Sequence, residues 1–211
     1  ISQDDKWAPE NLLSTFTRYS ELTFAETDVD LVVWPETAIP AFFDQVEDSF
    51  IAYLETELAN NDISLLTGIP VLEKQNWEYF NAIISLGGEQ GFYYKQHLVP
   101  YGEYLPLRWL IGNTLDALAV PNADFSSGGA SQTLLQAAGY PVSSSICYEV
   151  VFGEQIIRDL PDAAMLVNIS NDAWFGDSLA PHQHLQMARL RAKETGRPML
   201  RATNTGITAI I

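Results

Sequence analysis

Residues 142–152 read Val142-Ser143-Ser144-Ser145-Ile146-Cys147-Tyr148-Glu149-Val150-Val151-Phe152. The run from Val142 to Ile146 has the length and small, apolar character of a buried strand, and the segment from Val150 to Leu160 has helical spacing, so Cys147 lies where a strand hands over to a helix. The same alternation extends in both directions. Leu31-Val32-Val33-Trp34 is a strand stopped by Pro35, which has no N–H to give a ladder. Residues 64–69, 81–86, 92–95, 164–169 and 198–203 read as further strands, with Gly87, Gly88 and Gly91 punctuating one turn. Apolar residues at three- and four-residue spacing predict helices over 9–27, 41–60, 150–160 and 181–195. Strands alternating with helices predict an α/β domain, and with no internal repeat or compositional break residues 1–211 form one unit. Residues 101–135 carry no strand rhythm, and so long an irregular segment is usually functional.

Composition bounds the function. The 211 residues are 47% hydrophobic and 18% charged, enough for a full core. Eleven Lys and Arg against 27 Asp and Glu give a net charge of -16, which argues against a nucleic-acid partner, since phosphate binding needs clustered cations. The single cysteine excludes an internal disulfide and any multi-cysteine zinc site. No apolar run approaches the roughly 18 to 20 residues of a spanning helix. The chain opens without Met and stops inside the apolar run Ile207–Ile211, which predicts a piece of a longer protein.

Three side chains at strand ends suggest chemistry. Cys147 is by residue type either a small core residue or a nucleophile, and a helix N-terminus beside it would stabilise a thiolate. Glu36, directly after Trp34-Pro35, is either a loop anchor or a base with a raised pKa. Lys95, closing Tyr93-Tyr94-Lys95, either snorkels to water or serves a site. Together, an acid, an ammonium and a thiol at strand ends match the crevice where α/β folds place their sites. A carboxylate can take the thiol's proton, and an ammonium with a backbone N–H can stabilise the oxyanion of a tetrahedral intermediate. No His is required. His182 and His184, two apart at a helix start, point to different faces, so no metal site is expected on them, and no cofactor is implied.

Trp34-Pro35-Glu36, Lys95 and Cys147-Tyr148-Glu149 resemble the Glu-Lys-Cys triad of the nitrilase (carbon–nitrogen hydrolase) superfamily. The segments 93–106, 144–152 and 168–206 are similar, more narrowly, to those of bacterial apolipoprotein N-acyltransferases. The resemblance implies an αββα sandwich, here truncated at both ends, attached to membrane helices and facing the periplasm at the bacterial inner membrane. It implies transfer of an acyl chain from a phospholipid, through a thioester, to the α-amino group of the diacylated N-terminal cysteine of an apolipoprotein. Carried over, Glu36 is the general base, Cys147 the nucleophile and Lys95 the oxyanion partner. Glu103 supports Lys95. Tyr148 and Glu149 match positions important for the second half-reaction, as elbow supports or substrate contacts, and Trp7 matches a tryptophan of the family's N-terminal segment. By residue type alone Trp7 reads as a packed core aromatic. Residues 101–121, with Tyr104, Leu105, Leu107, Trp109, Leu110, Ile111, Leu115 and Leu118, read either as a lip dipping into the bilayer or as a packed flap. The cations from Arg189 to Arg201 read either as a site for anionic headgroups or, as expected, as a solvated or internally paired face.

Two other readings stay open on sequence. One is a soluble carbon–nitrogen hydrolase, such as an amidase, using the same triad with water as acceptor. The other is a binding module on the same scaffold without catalysis.

Overall fold

A computed structural model describes residues 6–26, 28–104 and 125–211. Strand β1 (Leu31–Val33) pairs in parallel with β2 (Ser64–Glu73), which runs antiparallel to β3 (Glu78–Leu86), itself antiparallel to β4 (Gly91–Tyr94). The second sheet has the order β5 (Leu135–Ala137), β6 (Tyr140–Ile146), β7 (Met165–Asn171), β8 (Met199–Asn204) and β9 (Ala209–Ile210), with β6, β7 and β8 parallel and the two edge strands antiparallel. Helix α1 (Leu12–Phe24) and the pair α2 (Phe43–Val46) and α3 (Ala52–Asn61), joined through a π-helical turn, accompany the first sheet. Helices α4 (Gly153–Arg158) and α5 (Ala180–Thr195) accompany the second.

Strand periodicity sorts side chains into three cores. On β2, Leu65 and Ile69 face Phe16, Leu54 and Leu58 of the helices, while Leu66 between them joins Ile83, Val142, Ile146 and Val167 in the layer between the sheets. A third cluster, including Val150, Ile156, Leu166, Ala188 and Met199, lies between the second sheet and α4 and α5. The layering is therefore α–β–β–α, the sandwich that the resemblance implied.

Several elements depart from the sequence reading. The strand expected to end at Ile69 continues to Glu73 and returns through a turn as β3. Pro70 is tolerated there because the Gly68 carbonyl, two residues earlier and on the same side, already faces beyond β1 to the Ile39 N–H, so no ladder bond is lost. Strands β5 and β9 were not anticipated, being only three and two residues long. The helix expected over 150–160 is shorter. Cys147–Val151 forms a 3₁₀ turn, and α4 begins only at Gly153.

Candidate active site

Four strand ends of the two sheets supply the site. Glu36 follows β1 in a tight turn in which Thr37 has φ 50°. That turn presses on Gly68 of β2, where a Cβ would lie 2.4 Å from Thr37 N and 2.8 Å from Glu36 Cα, so only glycine fits. The Glu36 carboxylate is buried and fully engaged: Asn81 Nδ2 of β3 donates to Oε1 (2.8 Å) and the Asn171 N–H at the end of β7 donates to Oε2 (2.8 Å). From the N-terminal segment, buried Lys6 Nζ donates to the Glu36 carbonyl oxygen at 2.9 Å.

Lys95 follows β4 and is 1% exposed. Its Nζ donates to Glu103 Oε1 at 2.8 Å and lies 3.8 Å from Glu36 Oε1. Glu103 is pinned in turn, Oε2 accepting from the Val99 N–H (2.8 Å) and Oε1 from Asn81 Nδ2 (3.3 Å). Asn81 thus ties the two carboxylates into one unit around the ammonium. Burial works against the charged lysine, but Glu36 and Glu103 more than offset it and hold its pKa above the ordinary lysine value. Burial pushes Glu36 the other way, above the ordinary carboxylate range, against the pull of Lys95. Lys6 falls to about 8, burial outweighing the Glu36 charge.

Cys147 directly follows β6 with φ 53°, a left-handed backbone that non-glycine residues seldom adopt. Glu36 and Lys95 both act electrostatically on its sulfur, and the Ser170 side chain hydrogen-bonds it. The thiol is pushed up to about 12, by burial first and by the Glu36 charge second. This corrects the expectation of a thiolate stabilised by a helix N-terminus. A 3₁₀ turn starts here, and desolvation with a facing carboxylate dominates.

Glu149 is wholly buried and accepts from five donors: the N–H groups of Ile146 (2.7 Å), Gln96 (2.6 Å) and His97 (3.0 Å), Tyr93 Oη (2.9 Å) and Gln155 Nε2 (3.3 Å). It clamps the cysteine elbow to the loop that follows Lys95, so of its two readings the geometry fits elbow support. Tyr148 is 42% exposed, its ring edge-on to Phe152 at 5.2 Å. Trp7 is 51% exposed, which corrects the packed-core reading; it adjoins Lys6 at the Glu36 turn. The proposed lip lies mostly in residues 105–124, outside the described residues.

The whole chain, residues 1–211, matches the carbon–nitrogen hydrolase family model. The chain belongs to the carbon–nitrogen hydrolase family. Among curated carbon–nitrogen hydrolase relatives, it is 54% identical over 211 residues to the apolipoprotein N-acyltransferase of Methylococcus capsulatus and 47% identical over 212 to that of Nitrosomonas europaea, covering in each case all of this chain and 42% of the relative. It therefore spans less than half the length of these curated relatives. Solved carbon–nitrogen hydrolase structures share the fold at low identity. XC1258 from Xanthomonas campestris matches with TM-score 0.67 and 16% identity over 95% of this chain and 77% of that one. Nit3 of Saccharomyces cerevisiae matches with TM-score 0.65 and 19% identity over 98% and 75%.

Sequence reasoning missed several residues of this carbon–nitrogen hydrolase site. Asn81 was seen only as a strand residue and Asn171 only as part of a similar segment. Asp172, His184 and Arg201 form a buried group against the elbow, a role the sequence does not suggest for His184, which reads there as needed neither for a Cys–His pair nor for a metal site. Among the described residues no cluster of His, Cys, Asp and Glu is arranged to hold a metal ion. Of the late cations, Arg201 is buried on Asp172 and Arg191 pairs with Glu194.

Proposed function

We propose that this chain is the catalytic domain of a larger membrane protein that transfers an acyl chain from a phospholipid, by way of a Cys147 thioester, to the α-amino group of a diacylated apolipoprotein. The observation that carries the reading is the 54% identity, over every residue here, to a named apolipoprotein N-acyltransferase. The geometry supports the chemistry. Glu36 takes the thiol proton as the sulfur attacks the ester carbonyl, while the Lys95 ammonium and the backbone N–H after Cys147 receive the oxyanion. Collapse expels the lysophospholipid alcohol, protonated by the acid form of Glu36. In the second half the amine attacks the thioester, Glu36 takes its proton, and the Cys147 thiolate leaves and is reprotonated. Glu103 holds the ammonium in place through both steps.

The surroundings suit a lipid. Exposed aromatics adjoin the site along the chain: Trp7 beside Lys6, Tyr148 beside Cys147, and Trp174 and Phe175 in the turn after Asn171. Exposed aromatic side chains of this kind favour acyl chains over water. No helix among the described residues is long and apolar enough to cross a membrane, so the proposed anchorage at the inner membrane, periplasmic face, falls to other segments of the parent.

The test uses the full-length protein in detergent with phospholipid and a synthetic diacylglyceryl peptide. Intact-mass spectra are expected to show one acyl adduct on Cys147 without peptide, its loss on adding peptide, and no adduct in Cys147→Ser. Amide hydrolysis without acyl transfer would assign the triad to an amidase instead, and a Cys147 inert to acyl donors and to thiol reagents alike would leave a binding module.

A further inference from the structure

Behind the cysteine elbow lies a buried polar group that the chemistry above does not use. His184 of α5 faces the Cys147 carbonyl oxygen through Nε2 at 3.0 Å. That ring nitrogen must carry hydrogen, because a carbonyl only accepts. On the other side, Nδ1 lies 3.0 Å from Asp172 Oδ1 and 3.0 Å from Arg201 Nη2. Asp172 also accepts from Ser170 Oγ (2.8 Å) and Arg201 Nη2 (3.1 Å), and Arg201 Nη1 donates to Asn168 Oδ1. Asn168 Nδ2 closes the circuit with a second, longer bond to the Cys147 carbonyl (3.3 Å). Space is reserved for this group. A Cβ on Gly206 would lie 2.4 Å from Asp172 Oδ2.

We propose that His184 is a positioning residue for the nucleophile, oriented by Asp172 and Arg201, and that its bond to the Cys147 carbonyl aims both the sulfur and the oxyanion donor. The backbone at Cys147 sits in a region that side-chain-bearing residues rarely adopt, and such a conformation persists only where its surroundings over-determine it. The peptide linking Cys147 to Tyr148 is planar, so fixing its carbonyl oxygen also fixes the direction of the Tyr148 N–H. That N–H is the backbone donor expected beside Lys95 for the oxyanion. His184 touches neither the sulfur nor Glu36 directly. Its own effect passes through that peptide group, while its partner Asp172 also reaches the sulfur by way of Ser170.

The inference rests on the acyl-transfer reading, and its test separates the two. In the full-length protein, His184→Ala is expected to slow thioester formation by about 100-fold with KM changed by less than about twofold, the signature of a misaimed group rather than a lost substrate contact. Alkylation of Cys147 by iodoacetamide, which needs no lipid, is expected to slow by about tenfold. His184→Gln, whose side-chain amide can donate to the same carbonyl, is expected to recover most of both rates, which a merely structural role would not predict for proteins of equal melting temperature. Should His184→Ala not fold, Asp172→Asn, which keeps the side chain's shape, is expected to give a smaller loss in the same two rates. A folded His184→Ala with wild-type burst and alkylation rates overturns the proposal, as does a His184→Gln no faster than His184→Ala. A wild-type protein alkylated at Cys147 yet never acylated by phospholipid overturns the acyl-transfer reading, while the alkylation series still decides the role of His184.

Discussion

A thiol pushed up to about 12 is almost entirely protonated near neutrality, so Cys147 does not rest as a thiolate waiting for substrate. The group that raises it, after burial, is the carboxylate placed to take its proton. Glu36 is itself held above the ordinary carboxylate range by burial, which makes its ionised form a stronger base than a solvent-exposed glutamate. The sign of the pH dependence follows. Thioester formation needs ionised Glu36, so its rate should be lost as pH falls through the raised Glu36 pKa, at a higher pH than an exposed glutamate would give. Glu36→Gln should lower the acylation rate by about 10² to 10⁴-fold and abolish that acid limb, read from the acyl-enzyme burst across pH. Stability carries the opposite signature. Because the fold favours protonated Glu36, this group's contribution is fully present below the unfolded carboxylate value and is lost as pH rises through the folded one. The wild-type melting temperature should therefore fall as pH rises through the folded Glu36 value, and that component of the slope should be absent in Glu36→Gln; an equal slope in the variant would contradict the cost of burying this charge.

At the scale of elements, the site depends on two loops from different sheets meeting at Glu149. Its five donors come from the end of β6, from β4 and the loop after it, and from α4. Removing the carboxylate strands buried donors at about 1–3 kcal/mol each before relaxation, so Glu149→Ala should lose about 3–5 kcal/mol of stability in denaturant titrations. It should also slow both half-reactions, since the elbow and the lysine loop lose their common anchor. A normal acylation burst followed by a stalled thioester would instead restrict Glu149 to the second half-reaction, the role that family resemblance alone implied. The strands that carry the site were legible in sequence because each is a short apolar run with a clear stop: Pro35 after β1, glycines before β4, Cys147 after β6. Glu36, Lys95 and Cys147 stood at those stops, and residue type with family resemblance singled them out. Asn81, Asp172, His184 and Arg201 were illegible for a physical reason. Each is polar within a strand or helix, or at a strand's end, and what a buried polar residue does depends on partners that only the packing of the two sheets supplies. The thiol's shift was missed for the same reason, since burial cannot be read from a strand-to-helix boundary.

For the molecule as a whole, the tension lies between exposed aromatics next to site residues in the chain and a strongly acidic composition. Each Lys or Arg near an anionic bilayer contributes about 1 kcal/mol of attraction, and acids oppose it. With 27 acids against 11 cations, several of the latter paired internally, net charge works against holding the chain on such a surface. The exposed rings of Trp7, Tyr148, Trp174 and Phe175 belong to separate segments, and among the described residues they present no long amphipathic helix that would lie in the interface. On the proposed acyl transfer, delivery of a phospholipid ester to Cys147 is expected from segments of the parent protein outside this chain, which covers 42% of the Methylococcus capsulatus relative. Two measurements on the isolated 211-residue chain follow. It should stay in the supernatant when vesicles containing anionic phospholipid are sedimented at low salt. It should also form no acyl-enzyme from those vesicles, while a water-soluble short-chain aryl ester, which needs no membrane delivery, should acylate Cys147 slowly. Robust acylation from vesicles would place lipid capture within these 211 residues and make the exposed aromatics sufficient for it. Failure with both donors, in a chain whose melting curve is cooperative, would mean that the missing segments complete the site itself and do more than feed it.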